Sequence, residues 1–144
     1  MDPLHLFVRS AHVAGMAAIL GGSLLVWWLA SRRSPLEDRL IIRVAERYEW
    51  IFWGAIGLQV MTGVGNLGAF GNALPPPESA WGTRLTVKLA AVLLLALLSV
   101  PRTLAVNAIS FEDKRPRLSL AALYGGTTAS AIGILGLAVW LAHG

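Results

Sequence analysis

Three ionisable residues near the start of the chain, His5, Arg9 and His12, fall in an otherwise apolar stretch. The two histidines are two helical turns apart, so they share one helix face, with Arg9 between them. A charge inside such a stretch is expensive to bury and is a functional candidate by default. Arg84 and Lys88 enter another apolar stretch one helical turn apart. An imidazole beside cations suits two chemistries. One is haem: His12 or His5 supplies the axial nitrogen, while Arg9, Lys88 and Arg84 pair with the propionates. Gly15, Gly63 and Gly65 would leave room for the ring. The other is Cu(I), which favours imidazole and thioether ligands. His12, Met16 one turn further on, and Met61 form that set. Arg9 and Lys88 repel a metal cation, and the nearest acids, Asp2 and Glu78, are surface residues. The charges therefore favour an anionic ligand, and haem leads. There is no cysteine, which excludes disulfides, thiolate metal sites, Fe–S clusters and c-type haem attachment. No nucleophile–base pair, phosphate loop or HExxH pattern is present.

The elements that must position these residues are membrane spans. The chain has 144 residues, 56% hydrophobic and 14% charged, where a soluble domain carries about a quarter charged residues. A soluble globular enzyme, a disordered tail and a fibrous repeat are all excluded. Four apolar blocks, 4–30, 48–70, 85–106 and 118–142, each reach the roughly 20 residues that a span needs. They predict an all-α polytopic membrane protein, with four transmembrane helices in one antiparallel bundle and a single domain over 1–144. The acidic start, Met1-Asp2-Pro3, is unlike a signal peptide.

One loop carries Arg32, Arg33, Arg39, Arg43 and Arg47; another carries Lys114, Arg115 and Arg117, with Arg102 just before it. The positive-inside rule puts both in the cytoplasm and both termini outside. The net charge of +4 then belongs to lipid-facing loops of a bacterial-type inner membrane protein, and nucleic acid is not a partner. Arg39, Arg43 and Arg47 form one stripe, suited to anionic headgroups or to solvent. Ser34-Pro35-Leu36-Glu37 reads as a capping box that starts a helix near Pro35. Pro101 is expected to kink or end span three. Trp27, Trp28 and Trp50 mark the inner interface, Trp81 and Trp140 the outer one. Small residues at four-residue spacing (Ala14, Ala18 and Gly22; Gly126 and Ser130; Ala129 and Gly133) predict close helix seams and allow a homodimer. Gln59, Thr62 and Asn66 read as interhelical hydrogen-bonding groups. The inner halves of the spans hold almost no ionisable residue, so the site is expected in the outer half.

Several short motifs are familiar. The stretch from Leu4-His5 to Gly22 resembles the first span of CopD-like and HemJ-like membrane proteins. Val60-Met61-Thr62-Gly63-Val64 is similar to the end of their next span. Trp81-Gly82-Thr83-Arg84-Leu85-Thr86-Val87-Lys88-Leu89 resembles the CopD signature, here with a threonine between glycine and arginine. Leu123-Tyr124-Gly125-Gly126 and Leu141-Ala142-His143-Gly144 are similar to the last span. The resemblance implies a four-helix transmembrane bundle. Its CopD side implies copper uptake or resistance. Its HemJ side implies a b-type haem and protoporphyrinogen oxidation, with His12 matching the first-span histidine and Lys88 the third-span lysine.

The expected function is a b-type haem protein acting in electron transfer or porphyrin oxidation near the outer face, served by a redox partner. A copper-handling protein using His12, Met16 and Met61 is the alternative. A structural subunit of a larger membrane complex is the third reading.

Overall fold

The computed structural model describes residues 3–32, 37–68, 76, 78–110 and 115–143, and of 64–68, 80, 81 and 141–143 the backbone alone. Regular structure among them is all helical: α1 Pro3–Ser31, α2 Asp38–Gly68, α3 Ala80–Ala108 and α4 Pro116–His143. Pro3–Ser31, Gly82–Ala108 and Pro116–Trp140 are long and apolar enough to cross a membrane. α2 is long enough but differs in kind. Asp38, Arg39, Arg43, Glu46, Arg47 and Glu49 crowd its first three turns.

The helix starts have local causes. α2 begins with Asp38, whose carboxylate suits the positive end of the helix dipole. The Glu37 carbonyl just before it accepts from the Leu40 and Ile41 N–H groups at 3.0 and 3.3 Å. The rest of the expected capping box, 34–36, lies outside the described residues. Ser79 caps α3, its hydroxyl accepting from the Gly82 N–H at 3.0 Å. α4 starts on Pro116, where a missing N–H costs nothing. Pro101 does not end α3, which runs on to Ala108. The proline is exposed, so the backbone bond it removes lies away from the packed face.

α1 packs along α2 and α4, and α3 packs along α4 and more lightly along α2. Side-chain pairs give the directions. His12 meets Thr62 while Ile19 meets Tyr48, so α1 and α2 run oppositely. Asp38 meets Arg117 and Ala45 meets Tyr124, so α2 and α4 run the same way. One end collects the arginines and is here termed the basic end. There Arg117 donates to the Asp38 carboxylate and, at 3.3 Å, to the Arg32 carbonyl. Arg39, Arg43 and Arg47 are all exposed, as a stripe along α2 requires.

The buried core lies toward that end. It includes Ile19 and Val26 of α1, Ile41, Tyr48 and Phe52 of α2, Leu95 and Val106 of α3, and Leu120 and Tyr124 of α4. Toward the far end, none of residues 3–14, 83–94 or 132–140 is buried. The expected small-residue seams divide accordingly. Gly22 lies so close to the Tyr48 ring that a Cβ would overlap it, and Ala18 packs on the core. A Cβ on Gly126 or Gly133 would meet nothing within 4 Å, so those α4 positions make no close helix seam.

Candidate functional site

Two polar centres sit at different levels. The first is His12, half-buried on α1 where α2 crosses it. Its Nδ1 lies 2.8 Å from the Thr62 hydroxyl. Thr62 spends its one proton on the Leu58 carbonyl at 2.6 Å, so its oxygen must accept from His12. That assigns the proton to Nδ1 and leaves Nε2 with its lone pair. Gln59 adds a second tie, its amide donating to the His12 carbonyl at 2.5 Å. The expectation of interhelical bonding by Gln59 and Thr62 therefore holds; the Asn66 side chain lies outside the description.

Gly15, expected to make room for a ring, makes room for Gln59 instead. A Cβ there would lie 2.6 Å from the Gln59 amide nitrogen. Gly63 faces open space, and Gly65 lies where only backbone is described. Lys88 is exposed on α3. Arg9 is exposed; His5 and Arg84 are half-buried toward the same end. Met16 is half-buried, while Met61 is 75% exposed, turned outward next to the Thr62 that meets His12. Among the described residues no group of three His, Cys, Asp or Glu could hold a metal ion.

The second centre lies in the core near the basic end, where almost no ionisable residue was expected. Glu49 of α2 and Arg102 of α3 form an ion pair at 2.8 Å, each side chain 4% exposed. The Glu49 carboxylate also accepts from the Tyr124 hydroxyl at 2.5 Å and from the Thr103 hydroxyl. Arg102 donates to Thr127 at 3.1 Å, and its guanidinium carbon lies 4.0 Å from the centre of the Phe52 ring. Trp53 donates to Thr103 at 3.0 Å. Arg102 Nε has no partner among the described residues and faces aromatic carbon instead.

This placement is possible because the opposite charges come from neighbouring helices and cancel. Arg102, Tyr124 and Thr103 together supply the three donors that Glu49 accepts from. The centre is therefore a tie among α2, α3 and α4. A sequence signal for it exists. Glu49 sits seven residues from both Ile42 and Ile56 on the buried stripe of α2, and Arg102 continues the stripe Leu95, Ser99, Val106 on α3.

The fold and these two centres define an all-helical protein of the membrane-spanning type. Comparison with known proteins takes this no further: no family model, no curated protein and no solved structure matches the chain.

Proposed function

We propose that the chain is a bacterial inner-membrane haem b protein, acting in electron transfer or porphyrin oxidation near the outer face. In this reading all four helices cross the membrane as one bundle. The basic end is cytoplasmic and both termini are outside, as arginine-rich loops favour. α2 crosses because its charges are concentrated at the cytoplasmic interface or paired with α3.

The observation that carries the reading is the state of His12. Thr62 holds Nδ1–H and points the imidazole, which leaves Nε2 as a ligand atom. Ligand histidines are characteristically oriented through their other nitrogen in this way. The surroundings fit a porphyrin. Toward the far end no side chain of residues 3–14, 83–94 or 132–140 is buried, so a flat ligand there would displace no packed core. Lys88, Arg84 and Arg9 lie on that side for two propionates. A haem so held would supply a one-electron Fe(III)/Fe(II) couple. His12 would ligate it, the cations would anchor its acidic edge, and Thr62 would keep the imidazole from rotating.

The test is a reduced-minus-oxidised visible spectrum of the full chain expressed with haem supplied. Sharp b-type bands near one haem per chain, lost in His12→Ala, are expected. A colourless protein, or one that keeps its haem after His12→Ala, overturns the proposal; bound copper without haem would favour the His12 and Met16 chemistry.

A further inference from the structure

A pocket lies at the basic end, away from His12. It is about 350 Å³ and lies between the start of α2 and the end of α3. Arg39 and Arg43 line it one helical turn apart, with Glu46 a further turn along α2. Opposite them are Asn107, Ala108, Ile109 and Ser110, the last turn of α3 and its C-cap. The charge in the pocket is thus graded. Two guanidinium groups stand toward the start of α2. One turn further along the same helix stands the Glu46 carboxylate, and across from all three is the partly negative end of α3, where the final carbonyls lack intrahelical donors.

A ligand that complements this carries a phosphate and, a few bonds away, a hydrogen-bond donor with positive charge. Arginine suits the phosphate, since its planar fork binds two oxygens at once. Glu46 and the α3 carbonyls suit an ammonium group. A quaternary ammonium bears no N–H and fits that side poorly. The level is also right. Trp50 is 80% exposed on α2, as a residue of the interfacial aromatic belt is. Arg43 is seven residues, about 10 Å, further toward the basic end. That places the pocket among phospholipid headgroups, and the half-buried Ile109 offers apolar surface to the start of the acyl chains.

We infer that this pocket binds the phosphoethanolamine headgroup of a membrane phospholipid, its phosphate on Arg39 and Arg43 and its ammonium on Glu46 and the end of α3. The inference needs only a membrane around the helices. It is independent of any cofactor at His12.

The test uses the full chain reconstituted in phosphatidylcholine vesicles doped with phosphatidylethanolamine or phosphatidylglycerol, with retained lipid counted by native mass spectrometry. Phosphatidylethanolamine is expected to be retained selectively. Arg39→Gln with Arg43→Gln should cut retention about thirtyfold, at about fivefold per arginine near a membrane surface. Glu46→Gln should erase the preference over phosphatidylglycerol. Arg47→Gln, exposed on the same helix but outside the pocket, should change nothing. None of these residues belongs to the buried tie, and helicity by circular dichroism confirms that each variant folds. Equal retention of phosphatidylcholine, or undiminished retention in the double arginine variant, overturns the site. A preference for phosphatidylglycerol overturns its ammonium half. Full displacement by soluble phosphoethanolamine overturns the assignment to a lipid.

Discussion

Replacing Glu49 with leucine strands a guanidinium in the interior. Arg102 is 4% exposed at its side chain, and without Glu49 it keeps the Thr127 hydroxyl and the Phe52 and Tyr124 rings but no counter-charge. Breaking a buried pair from one side costs about 3–5 kcal/mol. Arg102→Met makes the opposite error. Glu49 then keeps Tyr124 and Thr103 as donors, two of its three, and the cost falls near the lower bound, about 3 kcal/mol. The double variant removes both charges. Its orphaned hydroxyls have carbonyls in reach to which they can turn: Thr103 lies 2.9 Å from the Ser99 carbonyl and Tyr124 3.3 Å from that of Ala45. The double variant should therefore lie within about 2 kcal/mol of the wild type, against about 6–8 kcal/mol if the single costs simply added. Reversible unfolding in mixed detergent micelles, followed by far-ultraviolet circular dichroism, measures all four corners of the cycle. Single variants that each cost less than about 1 kcal/mol and add in the double would refute the tie and mean that water reaches the pair.

Gly22→Ala should destabilise by about 1–3 kcal/mol, because the new methyl displaces the Tyr48 ring whose hydroxyl donates to the Ile19 carbonyl at 2.6 Å. Gly57→Ala, open on every side, should be neutral or slightly stabilising in the same melt. Thr62→Val removes the acceptor that orients His12 and should weaken haem retention about 10–100-fold, read by competition with an apo-haem acceptor protein. Asp38→Asn breaks a partly exposed pair and should shift the unfolding midpoint by less than about 1 kcal/mol, even less in high salt.

How much of this was legible depends on which physical signal each part obeys. Helix existence follows from length and apolarity, and α1, α3 and α4 lie within a few residues of their expected spans. The start of α2 was legible too, since a helix beginning near Pro35 and continuing through Tyr48 anticipates α2 from Asp38. The bond between His12 and Thr62 was half legible: each was singled out, but their pairing depends on how α1 and α2 slide past each other. The Glu49–Arg102 tie was missed for a different reason. Arg102 sits just before the basic loop, and a charge count without depth groups it with that loop. Only the three- and four-residue rhythm of its buried neighbours reveals that it faces inward. The direction in which Met61 points obeys the same rhythm, one position out of phase with Thr62.

The tie also bears on how the chain is made. α3 carries an arginine on its packed face in its last two turns, and a lone arginine in a membrane helix costs up to about 2.5–3.5 kcal/mol to insert, the figure for the helix centre, and less toward an end. Its counter-charge sits on α2, which is synthesised first. The carboxylate is thus in place before the guanidinium arrives, and the third helix meets a partner rather than bare lipid. α2, which is not among the helices long and apolar enough to cross a membrane by themselves, is in turn held from the other side by α1, through Tyr48, Gln59 and Thr62. Each helix that is poorly suited to enter alone therefore has its receptor laid down one step earlier in translation. Circular permutations that bring α3 out of the ribosome ahead of α2 should reach the membrane in lower yield, even where the finished fold is equally stable.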